Sequence, residues 1–160
     1  MHAEGGCACG ALRYRLVNHP LIVHACHCTD CRRLTGGTYA INAWIEKEFV
    51  VPLSGTPSCF TRKGGSGNRH DVHFCGQCGT AIWSEYYRTR GSFWFVRVGT
   101  LDDPNLFAPD VHIFTRSKHR SVVLPESVPA FEAYYDRERV WPKESLARAE
   151  ANIRSAAARS

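Results

Sequence analysis

Between His24 and Arg33 the sequence reads HACHCTDCRR and places Cys26, Cys28 and Cys31 within six residues. Thiolates this close together suit a shared soft metal ion such as Zn²⁺. Three ligands are one short of a closed tetrahedral site, and a three-ligand zinc keeps a position for water or substrate. A soft open site favours a further thiolate, because a thiol that binds there loses its proton near neutral pH. These residues therefore point to a small-thiol substrate. His24, His27 and Cys59 are the side chains that could instead fill the fourth position and close the site.

Two further pairs remain, Cys7 and Cys9 in GGCACG and Cys75 and Cys78 in HFCGQCGT. Two plus two makes a Cys₄ set, the usual form of a structural zinc. Gly10 and Gly79 follow the pairs and free the backbone for tight knuckles. Such a site would tie the start of the chain to its middle and contribute on the order of 10 kcal/mol to folding. Eight cysteines also permit a disulfide framework, and a Cys-x-x-Cys pair permits a redox dithiol. The tight spacings and the absence of a secretory signal favour metal.

The bulk composition is that of an ordinary globular domain, 44% hydrophobic and 22% charged. The start, MHAEGGCACG, has neither the basic leader nor the apolar core of a signal peptide, so the expected compartment is cytoplasmic. No apolar run reaches the roughly 18 residues of a membrane span. The formal charge of +5 counts every thiol as neutral. Seven metal-bound thiolates around two divalent ions would bring it to about +2. So small an excess gives little support to a nucleic-acid partner.

Short strands separated by Gly- and Pro-rich turns must position the thiols. ALRYRLV (11–17) alternates as a half-buried strand does. TYAINAWIE (38–46), FWFVRVGTL (93–101) and VHIFTR (111–116) are rich in β-branched and aromatic residues. VPLSGTP, RKGGSGN and LDDPN read as turns. From Pro142 helix formers dominate, with Leu146, Ala149 and Ile153 as a thin apolar stripe. The segment reads as a solvated terminal helix that frays over Ser155–Ser160 and offers a possible homo-oligomer contact.

GGCACGALRY, CHCTDCRRLTG, HFCGQCGTAIW, VGTLDDP and HIFTRSK, in this order, resemble the glutathione-dependent formaldehyde-activating enzyme family, which includes the centromere protein V relatives. The resemblance implies a mainly β, Mss4-like β-tent of several small antiparallel sheets around a structural zinc. It implies zinc on Cys7, Cys9, Cys75 and Cys78 and a second, more labile zinc on Cys26, Cys28 and Cys31, the latter three carrying the chemistry. Residues 1–131 would form this domain and 132–160 a partly helical C-terminal extension. The implied activity joins glutathione to formaldehyde, formally a carbon–sulfur lyase reaction in reverse. Glutathione's carboxylates need cations, and Arg32, Arg33, Arg62 and Lys63 are the candidates; His24 and His27 are the candidates for proton traffic.

The rival reading is a zinc-stabilised binding module for protein or nucleic acid. Its surface would be Arg62, Lys63, Arg69, Arg88, Arg90 and the aromatics of WSEYYRTRGSFWF, although most of those aromatics read as core. A methionine-sulfoxide-reductase-like chemistry would need a late catalytic cysteine, and none follows Cys78.

Overall fold

The computed structural model describes residues 2–87 and 91–158. The first sheet contains β1 (Ala3–Gly6), β2 (Arg13–Leu16) and β5 (Val50–Ser54), in the order β1-β2-β5. The second contains β3 (Ile22–Cys26), β4 (Ala40–Glu46), β6 (Ser58–Lys63), β7 (Arg69–Phe74), β8 (Ala81–Tyr86), β9 (Phe93–Arg97) and β10 (Val111–Ile113). Its order is β10-β3-β4-β9-β8-β7-β6, antiparallel except for β10 on β3. Helix α1 (Thr29–Thr35) follows β3, and α2 (Arg137–Val140) and α3 (Lys143–Ala158) close the chain. The architecture is thus mainly β with antiparallel sheets and a C-terminal helix, as the resemblance implies.

Period-two alternation gives the large sheet two buried faces. Val23, Ala43 and Val96 are register partners across β3, β4 and β9, and they pack with Tyr14 and Leu16 of the small sheet. Ile22 and Trp44, the next partners along, lie in a second core with Phe93, Val111, Tyr135, Trp141 and Ala149. Covering on both sides makes β3 buried at every position. Cys7 and Cys75 belong to the first core, Cys26 and Cys31 to the second. Each thiol cluster is therefore anchored in a different core.

Two local readings change. Most of VPLSGTP is not a turn: residues 51–54 are strand β5, at the edge of its sheet, the position where Pro52 does not interrupt a ladder. The terminal helix is not simply solvated. Ala149 is buried, and Leu146 and Ile153 pack on the second core, because Trp141 just ahead of α3 sets its ring edge-on to Trp44 at 4.8 Å. Arg148 fixes the same helix through both carboxylate oxygens of Glu46, at 3.1 and 2.8 Å. Of the segment expected to fray, residues 155–158 are helical, and Arg159 and Ser160 lie outside the described residues.

Candidate metal centres

Two knuckles build the four-thiol cluster. After Cys7 the chain turns back through Gly10, whose φ of 77° places it in the left-handed region; Gly10 N donates to Cys7 O, and Cys7 N to Leu12 O. After Cys75 the same device recurs with Gly79 at φ 74°, Gly79 N donating to Cys75 O. No neighbour lies within 4 Å of a Cβ at either glycine, so conformation rather than space selects the residue. The Sγ atoms of Cys7, Cys9, Cys75 and Cys78 all lie within 4.8 Å of one another. Cys7 to Cys9 is 3.4 Å and Cys9 to Cys75 is 3.8 Å. Tetrahedral Zn–S bonds of about 2.3 Å require S···S separations of about 3.8 Å, so the donor set fits zinc. Thr80 joins the knuckles: its hydroxyl accepts from Ala8 N and sits 3.1 Å from Cys78 Sγ. Hydrogen bonds from the Thr80 hydroxyl and amide hold the Cys78 thiol down to about 5.

The three-thiol cluster is assembled by a strand end and a helix start. Cys26 is the last residue of β3, Cys28 is the N-cap of α1, and Cys31 lies in its first turn with its amide donating to Cys28 Sγ at 3.3 Å. Their three Sγ atoms also lie within 4.8 Å of one another. Cys26 and Cys31 are buried and Cys28 is partly exposed, so the cluster opens on the Cys28 side rather than standing free on a turn. Charge settles on Cys28, whose pKa is lowered by hydrogen bonds from Cys26 and Cys31 and by backbone amides. Cys26 is pushed far up by those same contacts and by burial. Cys31 is pushed up to about 11: contact with Cys26 lowers it, while Cys28 and burial raise it further and Arg97 pulls it back.

None of the candidate fourth ligands joins this set; among the described residues no further histidine, cysteine or carboxylate reaches it. His24 Nε2 lies 2.6 Å from Tyr135 Oη, which also accepts from Trp141 Nε1. His27 Nε2 lies 2.9 Å from His112 Nδ1, leaving His27 Nδ1 buried without a partner. Burial holds both His24 and His27 down to about 4, His27 with help from His112. Cys59 is exposed on β6, 3.9 Å from His73 Nε2 and in neither cluster.

The candidate cations ring α1 unevenly. Arg32 donates to Ser117 O at 3.0 Å, while Arg33 and Lys63 are exposed. Arg62 is paired with Asp30 at 2.8 Å, and Gly65 N donates to the other Asp30 oxygen, so the GGSG hairpin tip is strapped to the helix that carries Cys31. Of the rival binding surface, Arg69 pairs with Asp71, Trp83, Phe93 and Trp94 are buried, and Arg88 and Arg90 lie outside the described residues. A cleft of about 460 Å³ opens between the segments that follow the two clusters, lined by Leu34, Tyr39, Ile41, Thr80, Arg97 and Thr100.

Sequence reasoning passes over Asn42, Ser84 and Arg97. Arg97 is buried and donates to Asn42 Oδ1 and, at 2.8 Å, to Ser84 Oγ; Asn42 Nδ2 faces Cys31 Sγ at 3.9 Å. The available signal was a lone Arg inside FWFVRVG and a lone Asn inside YAINAWI, each a polar residue in an apolar run.

Antiparallel sheets with one four-thiol and one three-thiol cluster define a cysteine-rich β protein with two centres able to hold metal ions. Residues 2–117 match the glutathione-dependent formaldehyde-activating enzyme family, and the chain belongs to it. A Halomonas elongata protein named for the same activity is 34% identical over 87 residues, 52% of this chain and 55% of that protein. The chain thus spans about half the length of the curated relative it matches. A crystal structure of a Rhodobacter sphaeroides protein aligns with 80% of this chain and 99% of its own, at 22% identity and a TM-score of 0.49. No helix among the described residues is long and apolar enough to cross a membrane.

Proposed function

We propose that this chain is a zinc-dependent enzyme of the carbon–sulfur lyase type, acting on glutathione or another small thiol and on formaldehyde or a related aldehyde. The thiolate sulfur adds to the carbonyl carbon, the C=O π electrons move to oxygen, and a proton from solvent completes the S-hydroxymethyl adduct; cleavage is the reverse. The observation that carries the reading is a three-thiol set with no fourth ligand beside it among the described residues. Family membership supports the choice of thiol and aldehyde.

Zinc held by Cys26, Cys28 and Cys31 would supply a Lewis-acid position at which an entering thiol is held as thiolate. The four-thiol set would hold a second zinc whose part is to close the fold between Cys7 and Cys78. Cys28, the partly exposed member, marks the side of approach. Arg32 and Arg33 lie on α1 and Arg62 is tied to it through Asp30; with the exposed Lys63 they are the cations for the carboxylates of a glutathione-like thiol. Burial keeps both His24 and His27 neutral, tied to Tyr135 and His112 respectively, which suits positioning rather than proton traffic. Residues 1–131 carry both clusters, and 132–160 act as an extension that covers the second core.

The test follows adduct formation from ¹³C-labelled formaldehyde and glutathione by NMR, with and without protein. A rate above the uncatalysed one, lost in Cys28→Ser while the fold is retained, is the expected result. No acceleration with the zinc-replete protein would overturn the proposal.

A further inference from the structure

Arg97 is 4% exposed and carries a guanidinium charge, yet no carboxylate pairs with it among the described residues. Its hydrogen-bond acceptors, Asn42 Oδ1 and Ser84 Oγ, are neutral, and its Nε is buried without any partner. A buried cation that meets only neutral dipoles is strongly unfavourable unless an anion lies nearby. The candidate anion is the metal-bound thiolate of Cys31, which Asn42 faces. Asn42 links the two groups, accepting from Arg97 through Oδ1 and pointing Nδ2 at Cys31 Sγ. The strand register makes this link, since Asn42 of β4 and Arg97 of β9 are direct partners.

Charge counting gives the arrangement a purpose. Three thiolates around a divalent ion leave one net negative charge, and Arg97 supplies one positive charge. Among the described residues the four-thiol cluster has no such buried cation, but its Cys9 and Cys78 are exposed and solvent can screen it. At the three-thiol cluster Cys26 and Cys31 are buried and only Cys28 is partly exposed, so solvent screens it less. The built-in cation thus lies beside the cluster that meets less water.

We propose that Arg97 is the counter-cation of the three-thiol centre, acting through Asn42 to hold Cys31 and to balance the charge of a divalent ion on Cys26, Cys28 and Cys31. It is a positioning residue, and the inference rests on metal occupying that cluster. Two consequences have opposite signs. Removing the cation weakens the second metal and, in protein stripped of that metal, relieves an unpaired buried charge.

The experiment titrates zinc out of the full-length, zinc-loaded protein with a chromophoric chelator and follows melting before and after the labile zinc leaves. The variants are Arg97→Met, Arg97→Lys and Asn42→Asp. Outer-shell partners of metal ligands contribute about 10- to 100-fold to affinity. Arg97→Met should therefore weaken the labile zinc about tenfold or more, leave the tight zinc unchanged, and leave the stripped protein as stable as the wild type or more so. Arg97→Lys should recover much of the lost affinity because it restores charge without the planar fork. Asn42→Asp gives Arg97 a carboxylate of its own, and should weaken the labile zinc even if Arg97→Met fails to fold. Unchanged affinity in Asn42→Asp, or equal losses in Arg97→Met and Arg97→Lys, would overturn the counter-cation role. If the wild type releases only one, tight zinc, the metal reading of the three-thiol cluster fails and this inference falls with it.

Discussion

At the residue scale, burial decides what each titratable group can do. His70 is fully buried, stacks on Tyr86 at 4.2 Å, and has no hydrogen-bond partner on either ring nitrogen among the described residues. Burial first, then the charges of Arg97 and Arg62, hold its pKa down to about 4. In the unfolded chain an ordinary histidine titrates near 6.5. Between these values the unfolded state binds the extra proton, so the folded state loses stability as pH falls from about 6.5 to about 4 and is unaffected above. His70→Leu should flatten the acid limb of a plot of Tm against pH relative to the wild type; parallel curves would show that His70 is not the group responsible. Cys-x-Cys-Gly and Cys-x-x-Cys-Gly were legible at this scale because a knuckle is local: ligand, turn and left-handed glycine lie within a few residues. Arg97 was not, because its partners Asn42 and Ser84 come from the neighbouring strands β4 and β8, and Asn42 in turn reaches Cys31 of α1.

At the element scale, four of the ten strands among the described residues were legible, β2 from alternation and β4, β9 and β10 from β-branched and aromatic content, and their boundaries gave way where tertiary geometry took over. FWFVRVGTL begins as β9, but residues 98–100 wind into a 3₁₀ turn that brings Thr100 to the Tyr14 hydroxyl at 2.7 Å. β1 was invisible, since AEGG has poor strand propensity. Its Gly5 is needed for close approach: a Cβ there would stand 2.5 Å from Thr100 O. The apolar stripe of α3 was readable, while its docking depended on Trp141, which meets Trp44 and donates to Tyr135 Oη at 2.8 Å. Trp141→Ala should therefore destabilise the fold by about 3–5 kcal/mol, the usual range for an aromatic removed from a core, and urea denaturation would measure it. A change under 1 kcal/mol would mean that the C-terminal segment is not part of the cooperative core.

At the scale of the whole molecule, the two thiol clusters have different parts because they are built differently. The four-thiol cluster joins residues far apart in the chain through two preformed turns, whereas the three-thiol cluster is made within one strand–helix junction. Cys75→Ser should cost the fold itself, read as loss of the cooperative melting transition, while Cys28→Ser should leave that transition in place. The cysteine partition was available from spacing, but the exclusion of His24, His27 and Cys59 from the second centre was not, because their partners Tyr135, His112 and His73 come from other parts of the chain. The most direct test of the central claim is zinc content per chain in protein prepared without chelator, repeated after incubation with glutathione. The account predicts two zinc ions, one inert and one whose release or ligand set changes with glutathione. A single zinc, or two that glutathione leaves untouched, would contradict it.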